Sequence, residues 1–182
     1  MNTREIIIDA AFSIFETTPF EKVTIQQIAD KAHVSRKTFY NHFKDKYELM
    51  HLYYTHYVDV NVNAQFTGNN WRETEVKVFE FIMDKGSFFR NVYYTAGQDS
   101  FWDFLKRYSF DFIRNIRLHN TKKTDLDETE KDTILFLVEG SIALCKEVVS
   151  GRSTLSPAEM TDLIYELVPD SYRRYLDIPE EY

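Results

Sequence analysis

The chain has a single cysteine, Cys145, among 182 residues, which excludes an intrachain disulfide and any zinc site built on cysteine pairs. Its five glycines form no G-x-G array, so no phosphate-cradling loop is present. No two of the histidines His33, His42, His51, His56 and His119 stand at i, i+4, and there is no HExxH run. Without a metal set, a cofactor loop or a paired nucleophile and base, the chain is expected to be no enzyme and to carry no metal or cofactor. No apolar run approaches the roughly 20 residues that span a bilayer. The opening MNTREIIIDAAF carries Arg4, Glu5 and Asp9 among its apolar residues, unlike a signal peptide. A soluble, cytoplasmic protein without a membrane partner is expected. Strand-like alternation bounded by turns is missing throughout, and the fold class is read as all-α.

Charge is uneven. The formal net charge is −7, yet residues 1–52 hold equal numbers of cations and acids, so the deficit lies wholly in residues 53–182. Within the neutral part, Lys31, Arg36, Lys37, Lys44 and Lys46 face Asp45 alone between residues 31 and 46. An acidic body with one basic patch repels DNA except through that patch, an orienting effect that salt weakens.

The patch belongs to the stretch TIQQIADKAHVSRKTFYNHFKDKYEL, residues 24–49. Thr24 can cap a helix, with Gln27 three residues on to return the bond. Ile25, Ile28 and Ala29 share one face. After a turn at Ala32-His33-Val34, Ser35 is a second cap. Arg36, Lys37, Thr38, Tyr40, Asn41 and His42 crowd the following two turns, leaving Phe39 and Phe43 to hold that helix to a core. This is the layout of a helix-turn-helix, whose second helix enters the major groove. Arg and Lys suit guanine O6 and N7, Asn suits adenine, and a threonine methyl meets the thymine methyl. Tyr40, His42 and Lys46 are groups that hold phosphate oxygens, and Ser35 is placed with them.

These motifs resemble the DNA-binding domain of the TetR family of bacterial one-component regulators. The resemblance rests on an amphipathic first helix, the T-I-x-x-I-A second helix and the run V-S-x-x-T-F-Y-N-H-F-x-x-K from Val34 to Lys46. It implies that Arg36, Lys37 and Thr38 read bases, with Asn41 beside them, and that Thr24, Tyr40, His42 and Lys46 fall on phosphate-contacting positions. Two positions depart from the family. His33 stands where the family commonly has glycine in the turn, and Thr18-Pro19 replaces a glycine before the second helix. A left-handed backbone is expected at His33, a conformation His adopts more readily than most residues.

The first helix is expected from Asn2 or Thr3 to Glu16, with Ile8, Ala11, Phe12 and Phe15 as its buried stripe. Asp45 with Glu48 should open the next long helix, running to about Phe66. The reading therefore gives a three-helix DNA-binding domain at residues 1–50 and a helical effector-binding and dimerisation domain at 51–182, linked by helix 45–66. Further helices are expected at about 71–85, 87–96, 99–119, 127–150 and 157–168. Asn120 to Asp125 should form a polar loop, and Ser156-Pro157 with Glu159 the clearest helix start. Pro169 should stop that helix before a short further turn.

Two regions of the body are candidates for function. The chain is rich in aromatics, with 15 Phe and 12 Tyr. The resemblance suggests that Phe79, Tyr93, Trp102, Leu105 and Tyr108 line an effector pocket, although aromatics at helical spacing also build plain core. In the segment 134–149, Gly140, Ala143 and Leu144, with Met160, Leu163, Ile164 and Leu167 of the following helix, suit a four-helix seam between two copies. The expectation is a homodimeric repressor of a palindromic double-stranded DNA operator, released by an unidentified small ligand. The alternative is a regulator or activator controlled by a partner protein. Short-bodied members such as the dihydroxyacetone-kinase regulators resemble that arrangement.

Overall fold

Capping side chains fix where most helices begin. The computed structural model describes residues 2–62 and 71–176, with side chains through 173, and these residues are all-α. In order they form α1 (Thr3–Phe15), a 3-10 turn (Phe20–Lys22), α2 (Ile25–Lys31), α3 (Arg36–Tyr40) and α4 (Lys46–Asn61). There follow α5 (Trp71–Asp84), α6 (Gly86–Val92), α7 (Phe101–Thr121), α8 (Glu128–Val149), α9 (Pro157–Leu167) and α10 (Asp170–Leu176). Reciprocal capping boxes open α1 (Asn2 with Glu5), α2 (Thr24 with Gln27), α8 (Asp127 with Glu130) and α9 (Ser156 with Glu159).

Several expected boundaries move, each for a local reason. Asp45 accepts from the Tyr47 and Glu48 amides, but Glu48 reaches one residue further back, to the Lys44 amide at 2.7 Å. The α4 start is thus capped on both sides without a true box. Residues 63–66 of the expected linking helix lie outside the described residues. The helix expected at 87–96 ends at Val92, because Thr95 donates to the Val92 carbonyl and the Trp102 indole takes that of Tyr93. The loop expected from Asn120 starts at Lys122, whose φ of 57° turns the chain out of α7. Beyond Pro169 the chain makes a full helix, α10, where a single turn was expected. The buried stripe of α1 is Ile7, Ala10, Ala11, Ile14 and Phe15, with Ile8 and Phe12 only half-buried. IIIDAAFSIF offers two adjacent apolar registers, and packing selects the other one.

The chain divides into two compact units, Met1–Val58 with Lys85–Phe104, and Asp59–Asp84 with Leu105–Tyr182. The first therefore reaches beyond residues 1–50. Its extension is held by aromatic packing: Tyr53 stacks on Phe88 at 3.9 Å, Phe15 meets Phe88, and Phe101 meets Phe88 and Phe89 edge-on. Asn91 adds a hydrogen bond to the Phe15 carbonyl, and Tyr53 donates to Glu16. Phe15, Phe20, Phe39, Phe88, Phe89 and Phe101 are fully buried, each stabilising the unit by about 1.5–3 kcal/mol.

In the second unit α5 packs chiefly on α9 and also on α8. Phe79, Ile82, Ile134, Val138, Met160 and Ile164 form its core. A buried ion cluster pins α7 to α8. The Glu130 carboxylate receives Arg117 Nε at 3.0 Å and Nη2 at 2.7 Å, Lys123 Nζ at 2.8 Å and the Asp127 amide at 3.1 Å. Arg117 also lies over the Tyr172 ring, at 5.1 Å. Burial alone would raise the Glu130 pKa, but the bonds from Lys123, the Asp127 amide and Arg117 outweigh it and hold the value at about 2.

Candidate DNA-binding interface

The α2–α3 pair owes its geometry to a left-handed residue. Val34 donates to the Ala29 carbonyl and His33 to that of Asp30, the two bonds of a Schellman ending, and His33 sits at the position glycine usually takes, with φ 54°. Backbone direction reverses there, and Ser35 restarts the helix by accepting from the Thr38 amide at 3.0 Å. Only five residues long, α3 is anchored by Phe39 (0% exposed) and, just past its end, Phe43 (2%). With those two rings inward, Arg36, Lys37, Tyr40, Asn41 and His42 are exposed and Thr38 is half-buried. Among the described residues no acid pairs with Arg36 or Lys37 (the flanking acids are engaged elsewhere, Asp30 accepting from Gln26 and Asp45 pairing with Lys44).

The expected phosphate contacts divide into two kinds. Tyr40 is 49% exposed, its ring edge-on to Phe39, and His42 is open to solvent. The hydroxyls of Thr24 and Ser35 already serve as helix caps, Thr24 bonded to Gln27 and Ser35 to Thr38. Lys46 differs most from the expectation. Its Nζ donates to the Phe20 and Val23 carbonyls, both at 2.7 Å, and sits 4.4 Å from the Phe20 ring centre. Desolvation lowers its pKa despite the opposing pull of Glu21. The ammonium ties the first turn of α4 to the segment preceding α2. Sequence spacing carried no sign of this, because the two carbonyls lie 26 and 23 residues upstream.

Residues 7–52 match the family model described as bacterial regulatory proteins, tetR family, and residues 69–170 match the model described as transcriptional regulator C-terminal region. The chain belongs to the TetR family. It is a DNA-binding transcription regulator and not an enzyme. Solved structures share the fold. The dihydroxyacetone kinase operon activator DhaS is 17% identical, with 91% of this chain and 93% of that one covered and a TM-score of 0.64. A TetR regulator from Rhodococcus sp. RHA1 is 18% identical over 89% and 95%, with a TM-score of 0.62. RolR, solved with resorcinol, is 13% identical over 99% and 95%, with a TM-score of 0.54. No curated protein sequence matches the chain.

In this TetR-family chain, the residues expected to line a pocket are shared between the two units. Tyr93 and Trp102 belong to the first unit and hold each other, the Trp102 indole donating to the Tyr93 carbonyl at 2.9 Å. Phe79, Leu105 and Tyr108 belong to the second; Phe79 and Leu105 are buried, and Tyr108 donates to Asp59 at 2.9 Å. Of the seam residues, Gly140 and Ala143 are exposed, Leu144 and Leu163 are half-buried, and Leu167 is 62% exposed. A Cβ at Gly140 would meet nothing within 4 Å. Met160 and Ile164, expected in the same seam, are instead consumed by the core of the unit. Phe136, 77% exposed, extends the Gly140 and Ala143 face by one turn.

Sequence reasoning missed Glu75. It lies on α5 one turn from the buried Trp71 and one turn from the buried Phe79, an acid within an apolar stripe. That spacing was the available signal. Its carboxyl pKa is pushed up to about 7 by burial.

Proposed function

We propose that the protein acts in the cytoplasm as a homodimeric repressor, placing two α3 helices in successive major grooves of a palindromic operator and leaving it when a small ligand binds the body. The observation that carries this reading is the α3 surface: Arg36 and Lys37 exposed without acidic partners, backed by the buried Phe39 and Phe43. In this reading Arg36, Lys37, Thr38 and Asn41 face base edges. Tyr40 and His42 hold phosphates, and the capped first turns at Thr24 and Ser35 present backbone amides to them. Lys46 supports the interface by bracing α4.

Exposed apolar groups on α8 and α9, namely Phe136, Gly140, Ala143, Leu163 and Leu167, supply the seam between copies. Small residues there let helices approach, and a two-fold axis through them matches an operator with half-sites about 34 Å apart. Phe136→Glu with Leu167→Glu should give monomers that bind a half-site weakly and the full operator no better. Light scattering and a band-shift assay on both duplexes decide it; a double variant that stays dimeric moves the seam elsewhere.

One observation favours control by a partner protein instead. Tyr94 is 81% exposed, edge-on to Tyr93 at the end of α6, an anchor of the kind partners use. The structural neighbour named as an operon activator suits that reading. A reporter gene behind the operator separates the two: deletion of the regulator raises expression under the repressor reading and lowers it under the activator reading.

A further inference from the structure

The inner face of α5 carries a polar group that no described residue satisfies. Trp71, Glu75 and Phe79 recur at one-turn intervals along it. Trp71 is 3% exposed, yet its indole Nε1 has no hydrogen-bond partner. On α9, the helix packed most closely against α5, Thr161 is fully buried and its hydroxyl is likewise unpartnered. The Trp71 ring lies 5.8 Å from that of Tyr165, one turn beyond Thr161, so these groups occupy one neighbourhood. On α8 burial pushes the Cys145 thiol up to about 12, and the Glu75 charge adds to that rise. Arg72, about one turn before Glu75 on α5, is held by Asp162 at 2.6 Å.

An indole N–H and a hydroxyl left unpaired in a protein interior each carry a desolvation cost that a ligand can relieve. An enclosed carboxyl without a cation carries a larger one. Glu75 as a whole residue is half-buried.

We infer that Glu75, Trp71 and Thr161 form a recognition site for a small organic amine, whose ammonium pairs with the Glu75 carboxylate and whose oxygen, at the other end of the ligand's frame, takes the bonds of the Trp71 indole and the Thr161 hydroxyl. The aromatic faces of Trp71 and Phe79 suit the ligand's apolar frame, and the indole adds attraction for the cation. This deepens the ligand-released reading by naming the ligand's chemical class, and it places the site in the second unit rather than at Tyr93 and Trp102.

Three compounds on one frame test it: tyramine, 4-hydroxyphenethyl alcohol and 4-hydroxyphenylacetate, titrated calorimetrically into the full-length protein without DNA. The parent should bind tyramine roughly tenfold or more tighter than the alcohol, the scale of one charge-assisted bond, and should reject the acid. Glu75→Gln should bring amine and alcohol to equal affinity, a change of selectivity that a merely structural role would not produce. Thr161→Val should weaken both alike. If Glu75→Gln keeps the amine preference, or if the parent binds none of tyramine, benzylamine and hexylamine, the inference is overturned. Operator release by tyramine is measured separately. Binding without release sinks the ligand-released reading and leaves the site standing, whereas release without Glu75 dependence does the reverse.

Discussion

Residues 24–46 and residues 114–131 handle charge in opposite ways. In the second stretch nearly every cation is committed within the protein: Arg117 and Lys123 to Glu130, and Lys131 to Glu128 and Asp125. Arg114 also reaches Asp125. In the first stretch Arg36 and Lys37 are left open, and the buried rings of Phe39 and Phe43 hold their helix. Paired charge sets the fold of the body, and open charge is available for a polyanion. Lys46 marks the boundary, a cation of the DNA-binding head engaged as those of the body are.

The body half of this comparison breaks with the largest effect. Glu130→Ala leaves the Arg117 guanidinium buried without its acid and should cost about 3 kcal/mol of stability, the low end for an orphaned buried charge. Urea unfolding checks it, and operator affinity of the folded fraction should stay near that of the parent.

Acidity tests the same contrast. Glu130, at about 2 in the folded protein and near 4.5 unfolded, contributes stability that is complete above pH 4.5 and lost as pH falls toward 2. Glu75 has the opposite sign. Its folded value near 7 lies above the unfolded one, so stability falls as pH rises from 4.5 to 7 and then levels off. Glu75→Gln should flatten that upper limb and leave the acid limb unchanged in melting curves from pH 3 to 9. An upper limb that persists in the variant would remove Glu75 as its source.

Lys46→Met probes the boundary. Loss of the two carbonyl bonds should lower the melting temperature, while the slope of log affinity against log salt stays within error of the parent's. A lysine on phosphate would instead reduce that slope by about one. The smallest effect belongs to the turn: His33→Gly relieves a left-handed residue and should stabilise the head by about 0.5–1 kcal/mol, read by thermal unfolding.

The caps show how much of this was legible in the sequence. Thr24 with Gln27, Ser35, and Ser156 with Glu159 act locally, within three residues, so their spacing alone located α2, α3 and α9. The left-handed turn at His33 was readable for the same reason. Long-range partners were not: Lys46 finds carbonyls more than twenty residues away, and α1 offered two apolar registers between which only tertiary packing chooses. The aromatic richness near residues 88–104 was visible, but its use as packing for the head became clear only once Tyr53 met Phe88. For the body's site, an acid between Trp71 and Phe79 was in view, while the partner that gives it meaning, Thr161, sits on another helix.

The claim that the open charge of α3 reads DNA is tested most directly by one comparison: binding of the parent and of Arg36→Ala to matched and scrambled operator duplexes at fixed salt. The account predicts that the variant loses about 1–3 kcal/mol on the matched duplex and much of its preference over the scrambled one, with an unchanged melting temperature. A variant that keeps the parent's full preference would contradict it.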